Sequence, residues 1–461
     1  VHHDAVVQSE AAATSDGVWV PGRRALTFGL VLAITLVGFE GLAISTVMPE
    51  VSKDLDGIAL YGWVFSAFFL GNLVGVVYAG RSADRNGCAR PFAMGLVLFA
   101  IGLAAGGAAP HMLVLVIARA VQGLGAGAIP AVAYVAIGRA YPQALQPRMF
   151  AVVSTAWVLP GVIGPAISGA ISDAFGWRWV FFGLLPLVAL NGIITTPALR
   201  ALGPPGGDEP ADRRVDALLL ALGAAFVLGG VSSSVWLAAP LIALGLLIGI
   251  RPFLRLMPRG IMRLRAGMPA AVGLRGIITF AFFGTDAYVT LTLTSLHSTS
   301  ATLAGIALTA ATLTWTSGAW IQERRVNRVG PRAFVRTGTL VIAAGIALMI
   351  VVAQFDVPIV VAVLAWGLGG LGMGLAYAPL SLIVLAEAPA GGEGMASASL
   401  MLCDTLGVAL GTGASGAIVA AGDALGWSKS STLTIAFVMC GVVALLATAA
   451  AVRLPRRLAA A

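Results

Sequence analysis

The sequence predicts an all-α polytopic membrane protein: two bundles of six helices with a two-helix hairpin inserted between them, about fourteen spans in all. Three observations predict it. Fourteen apolar stretches cross the chain, most of them near the roughly 20 residues that a helix needs to span a bilayer. The short polar gaps alternate in charge, with arginine collecting in every second one. The chain is 59% hydrophobic and only 10% charged, too little charge to coat a soluble protein of 461 residues.

Residues 1–25 form a polar tail. The first 22 residues lack a basic segment leading to a small-residue cleavage site, so no removable leader is expected. The first bundle, 26–199, holds stretches at 26–48, 61–80, 91–109, 112–138, 149–171 and 178–199. Residues 200–216 carry Gly203, Pro204, Pro205, Gly206 and Gly207 and then a run of charges; with no apolar face to bury, they predict a linker. Two shorter runs, 217–234 and 238–250, make the hairpin, and 251–268 is a basic loop. The second bundle, 269–452, holds 269–296, 301–321, 333–353, 357–386, 395–421 and 431–452; a basic tail, 453–461, follows.

The charge alternation sets orientation. Arg81, Arg85 and Arg90 follow the second stretch; Arg200, Arg213 and Arg214 follow the sixth; five arginines from Arg251 to Arg265 follow the eighth. Arg324, Arg325 and Arg328 follow the tenth, and Arg453, Arg456 and Arg457 come near the end. The other gaps carry Glu50, Lys53, Asp54, Asp56, Asp173, Asp356 and Asp423; the gap at 387–394 breaks the rule. The positive-inside rule then puts both termini in the cytoplasm. The net charge of +8 sits in these membrane-flanking gaps, which favours contact with anionic lipid and argues against nucleic acid. Cys88, Cys403 and Cys440 are scattered, without the spacing of a metal site or a disulfide framework.

The two sixes repeat each other. Gly123, Gly125 and Gly127 in the fourth stretch parallel the row from Gly367 to Gly374. Gly161 and Gly164 in the fifth parallel Gly407 and Gly411, and Arg85-Asn86-Gly87 parallels Arg328-Val329-Gly330. Weak repetition of six-helix halves marks a transporter that binds its substrate near the midplane between them.

Four motifs carry mechanism. Gly80-Arg-Ser-Ala-Asp84-Arg85-Asn-Gly87, with Arg90 as a basic tail, follows the second stretch. Arg119-Ala-Val-Gln122-Gly-Leu-Gly places an arginine inside the fourth, where an interior partner is expected. Pro160-Gly161-Val-Ile-Gly164-Pro165-Ala-Ile-Ser-Gly169 lies in the fifth. Glu40 sits in the first, nine residues before Pro49. On these residues the chain resembles the major facilitator superfamily over nearly its whole length. The first motif is similar to that superfamily's loop signature, with Cys88 and Ala89 departing where basic residues are usual. The second resembles its Arg-x-x-Gln-Gly-x-Gly motif, associated with proton-coupled members. The third resembles the Gly-Pro motif of its drug-exporting antiporters. The spacing of Glu40, and the extra hairpin, resemble the fourteen-helix drug:proton antiporter group.

The resemblance implies alternating access by two rocking bundles, proton-driven efflux of amphiphilic small molecules or drugs, and the cytoplasmic membrane of a bacterium. Glu40, Arg119 and Asp286 are the expected proton-coupling residues, Asp286 holding roughly the repeat-related position of Glu40. Asp286, Asp404, Gln122 and Trp157 are the expected substrate-cavity residues. No cofactor beyond a proton gradient is expected, and the protein is expected to act as a monomer. Alternatives are export of a lipid or an endogenous metabolite, or import of a small nutrient, which the Gly-Pro motif speaks against. A non-transporting sensor would want an output domain, and an enzyme a clustered catalytic constellation; the sequence offers neither. Gly367-x-Gly369-x-x-Gly372 fits a dinucleotide fingerprint only in letters, because no strand precedes it, and Lys53 and Lys429 lack the frame of a P-loop.

Overall fold

The computed structural model describes residues 17–20, 22–142, 145–203, 213–233, 235–388 and 393–457. Among them there are helices and no strands. The first bundle comprises α1 (Arg24–Asp54), α2 (Tyr61–Asn86), α3 (Ala89–Gly107), α4 (Met112–Ala140), α5 (Gln146–Phe175), α6 (Arg178–Phe182) and α7 (Leu185–Arg200). The short α6 and α7 are one span interrupted near Gly183. The hairpin is α8 (Arg214–Val231) and α9 (Val235–Leu256). The second bundle comprises α10 (Met268–Leu296), α11 (Ala301–Val329), α12 (Pro331–Gln354), α13 (Ile359–Ala386), α14 (Glu393–Ala424) and α15 (Lys429–Ala450).

Thirteen of the described helices are long and apolar enough to cross a membrane. The expected span at 301–321 is the one whose composition falls short. There α11 carries Thr302, Thr309, Thr312, Thr314 and Thr316, then Glu323, Arg324 and Arg325. Thr312, Thr314 and Thr316 return their hydroxyls to carbonyls one turn back, which lets a polar residue sit in an apolar surround. The helix packs on α5 and α13 and keeps Leu303, Ile306, Leu313 and Trp320 exposed on its outer side.

Packing repeats as the sequence does. α2 packs on α4 as α11 does on α13, α3 on α4 as α12 on α13, and α1 on α5 as α10 on α14. The glycine rows fix the register. A Cβ on Gly123 would lie 2.0 Å from the Phe68 carbonyl oxygen, and one on Gly370 2.0 Å from that of Ala311. Gly127 against Asn72 and Gly374 against Trp315 repeat the contact one turn on. Small residues at these seams let helix backbones approach, the main source of cohesion where lipid offers no hydrophobic drive.

The bundles meet along two seams, α2 on α14 and α5 on α11, with α1 and α10 between them. The face carrying the first residues of α1 and α8 and the last residues of α9 and α15 is the terminal face, and the opposite one the distal face. α8 packs on both α2 and α14, so the hairpin lies over one seam.

Some boundaries differ from the sequence reading. α8 starts at Arg214, inside the expected linker, and α9 runs to Leu256, into the expected basic loop. α11 continues past 321 to Val329. Arginines that end an apolar run do not end a helix: their donors reach water while the backbone ladder continues. Ser234, Pro204–Pro210 and the first 16 residues, which belong to expected tail, linker and hairpin turn, lie outside the described residues.

Candidate functional site: buried charges between two bundles

Glu40 lies at the middle of α1 and Arg119 two turns into α4. The structure brings them together as a salt bridge, with relative side-chain exposures of 1% and 2%. The same Arg119 nitrogen donates to Gln122 Oε1 at 2.6 Å, and Arg119 Nε donates to the Val64 carbonyl at 3.3 Å. Its guanidinium stacks on the Phe68 ring, 4.1 Å from the centroid. One turn separates Arg119 from Gln122, so α4 supplies both the cation and a neutral acceptor on one face. Glu40 Oε2 and Gln122 Nε2 are buried without hydrogen-bond partners in the described structure. The sequence reading puts Gln122 on a cavity wall, but here it is fully buried and committed to Arg119.

Such a pair is neutral as a unit and stable only while both members are charged. Removing one charge leaves the other in a medium where an unpaired ion is costly, typically by 3–5 kcal/mol. A proton taken by Glu40 would therefore free Arg119 and alter what holds α1 to α4.

In the second bundle, the glycine register that maps Gly123 onto Gly370 maps Arg119 onto Trp366. Trp366 also reaches the acid of the first helix in its bundle, its Nε1 donating to Asp286 Oδ1 at 2.7 Å. The repeat thus conserves the geometry and changes the chemistry: an arginine–carboxylate pair on one side, an indole–carboxylate pair on the other. Asp286 has no cation in hydrogen-bond reach among the described residues. Trp366 stacks on Phe282 at 4.7 Å between centroids, and Trp315 meets Phe282 edge-on at 5.6 Å.

Asp404 stands apart from Asp286, closer to the terminal face. Its Oδ2 accepts from Tyr377 at 3.2 Å, and its Oδ1 lies 3.9 Å from Arg275. Arg275 is buried on α10, lies over the Tyr377 ring at 3.4 Å and donates to Ser381. Sequence reasoning missed Arg275, Trp366 and Tyr377. A lone arginine seven residues into an apolar stretch was the available signal for Arg275, and the nearby basic loop masked it.

Above these charges the distal half is closed. Tyr61 donates across to the Ala287 carbonyl at 3.1 Å, while Tyr288 stays within the second bundle, donating to the Thr412 carbonyl at 3.1 Å and so bracing that side of the closure. Thr290 donates to the Ser45 carbonyl at 2.5 Å, and Ser66 to that of Ala409 at 2.8 Å. On the other seam Thr302 donates to Asp173 at 2.6 Å. The antiporter-like residues make the same seam: Gly161 faces Thr312, Gly169 faces Thr302, and Pro165 faces Gly305. Gly164 faces Phe39 of α1. Trp157, nearer the terminal face, is 45% exposed. All these bundle-to-bundle bonds lie in the distal half, so the described contacts correspond to a state closed at the distal face. A separate distal vestibule of about 750 Å³ lies outside the closure, lined in part by Lys53 and Lys429, the only two lysines in the chain.

The loop motif lies at the terminal face. Gly87 ends α2 with φ 80°, a conformation that favours glycine, and Gly330 ends α11 the same way with φ 91°. Arg85 and Arg90 are exposed, and a Cβ on Gly80 would meet nothing. The Asp84 side chain lies outside what the structure describes.

Comparison with known proteins agrees with this architecture. A family model described as Major Facilitator Superfamily matches residues 30–274, just over half of the chain. The multidrug transporter protein MdtP of Bacillus subtilis is 28% identical over 380 residues, 78% of this chain and 68% of that protein. The probable multidrug-efflux transporter Rv1634 of Mycobacterium tuberculosis is 28% identical over 442 residues, 91% of this chain and 92% of that one. Among solved structures, a D-xylose–proton symporter superposes with a TM-score of 0.67 at 16% identity, covering 94% of this chain and 98% of its own. The POT family transporter PepTSo gives 0.69 at 14%, covering 93% and 97%. Identities this low carry the fold and not the substrate.

Proposed function

The chain belongs to the Major Facilitator Superfamily, and from that premise we propose that it is a proton-driven exporter of amphiphilic small molecules, working by alternating access in the cytoplasmic membrane of a bacterium. The observation that carries this reading is the Glu40–Arg119 pair: fully buried, placed in the bundle interior, and holding one carboxylate oxygen without a partner. The names of the relatives MdtP and Rv1634 support efflux as the direction. By the arginine distribution the terminal face is cytoplasmic, so the described state is closed to the outside.

In this account substrate enters from the cytoplasm or the inner leaflet while the distal seams are shut. The bundles then rock about the α2–α14 and α5–α11 seams. With the distal side open, a proton reaches Glu40, breaks its pair with Arg119 and disfavours substrate; closing returns the proton to the cytoplasm. Asp286, held only by a neutral donor, is a second protonation site. Asp404 and Trp157 contact substrate; Gln122 positions Arg119. A substrate that prefers the ionised pair is linked to the proton by reciprocity of binding. The transporter works as a monomer, with no cofactor beyond the proton gradient.

The test is direction. Purified protein in liposomes is given an acid interior and ethidium outside. Antiport predicts ethidium accumulation inside as protons leave, abolished by nigericin. Accumulation only when the acid is outside would instead establish symport, the mode named for the D-xylose–proton symporter.

A further inference from the structure

The terminal face of the first bundle carries a cavity of about 560 Å³ between the start of α3 and the end of α7, away from the Glu40–Arg119 pair. Arg90 and Arg200 stand at its rim, both exposed, and among the described residues neither makes a hydrogen bond or an ion pair. Its floor is built. Arg139 of α4 donates to the Leu202 carbonyl at 3.2 Å and to the Gly203 carbonyl at 3.0 Å, and reaches Cys88 Sγ at 3.7 Å. One guanidinium thus ties together α4, the end of α7 and the turn after Gly87.

The cavity wall continues down α3 as a single stripe. Arg90, Ala93, Met94 and Val97 all line the cavity and share one helical face by their spacing. Met94 and Val97 are 54% and 56% exposed, facing outward where acyl chains would lie. Two cations with no partner among the described residues, above an exposed apolar stripe, match one kind of molecule: an anionic head carried on a hydrocarbon chain. Basic pockets between helices on the cytoplasmic side bind such headgroups.

We propose that this cavity is a binding site for an anionic phospholipid of the inner leaflet, with its phosphodiester between Arg90 and Arg200 and one acyl chain along Met94 and Val97. The site abuts Gly87 and the motif loop, so a bound lipid would brace the turn between α2 and α3. Binding does not depend on the transport reading and is measured without it.

Native mass spectrometry of the detergent-purified protein, titrated with phosphatidylglycerol or phosphatidylcholine of identical chains, tests it. Wild type should bind phosphatidylglycerol at least tenfold more tightly. Each arginine contributes roughly five-fold, so R90Q/R200Q should lose about 25-fold and reach the phosphatidylcholine level. M94Q/V97Q should weaken both lipids while keeping the preference. R324Q/R328Q, on the other bundle, should leave binding unchanged, which separates this site from general surface charge. Equal phosphatidylglycerol affinity in R90Q/R200Q and wild type would overturn the proposal, as would displacement of the lipid by millimolar inorganic phosphate.

Discussion

Gly416→Ala should push the protein out of its distal-closed state. A Cβ on Gly416 would lie 2.5 Å from the Gly62 Cα and 2.7 Å from the Tyr288 hydroxyl, where α2 and α14 meet. Backbone cannot retreat there without parting the seam. Overpacking of this kind costs about 1–3 kcal/mol. The backbone part of the cost, against Gly62, falls only on the closed state, because that seam separates when the distal side opens; Tyr288 is on the same bundle as Gly416 and stays beside it in both states. The closed-to-open ratio should therefore drop by roughly 5- to 150-fold. Helix weakening cannot mimic this, since alanine is a better helix former than glycine by about 1 kcal/mol. The reporter is Ser45→Cys, which is 6% exposed and sits under the closure, in a background lacking Cys88, Cys403 and Cys440. Labelling by an impermeant maleimide from the distal side should accelerate by that factor. Gly138→Ala, where a Cβ meets nothing, is the control and should leave the rate unchanged. A Gly416→Ala rate within twofold of wild type would refute the reasoning that this seam is the closed gate.

Two further outcomes follow from the same geometry. Arg119→Ala should lower stability by about 3–5 kcal/mol by stranding Glu40, while Glu40→Gln/Arg119→Gln should recover most of it; thermal unfolding in detergent compares them. In intact cells, a cysteine at Ser233 should label only from outside and one at Arg259 only from inside, because the hairpin enters and leaves at the terminal face.

The architecture was legible because each level of the sequence agrees with the next. Spans, arginine alternation and the two glycine rows all point to paired six-helix halves, and the structure places Gly123 and Gly370 in equivalent contacts. The Glu40–Arg119 partnership was half legible: an arginine inside a span demands an interior partner, but which acid meets it depends on how α1 lies against α4. Asp286 was placed by repeat position, yet nothing in its neighbourhood of sequence announced Trp366, 80 residues on. Arg275 was invisible for a different reason. It follows Arg263 and Arg265 closely enough to read as more positive-inside charge, and only the packing of α10 against α13 and α14 shows it buried beside Tyr377 and Asp404. Helix ends at Leu256 and Val329 were misjudged because apolar composition stops before the backbone ladder does.

The account's central claim is that Glu40 carries the coupled proton. Glu40→Gln keeps the shape and a hydrogen bond to Arg119 but cannot release a proton. In proteoliposomes with an imposed pH gradient, the variant should fail to concentrate ethidium, yet should still equilibrate it down its own gradient at a measurable rate. If Glu40→Gln concentrates ethidium as wild type does, Glu40 is not the coupling site, and Asp286 takes its place as the residue to test.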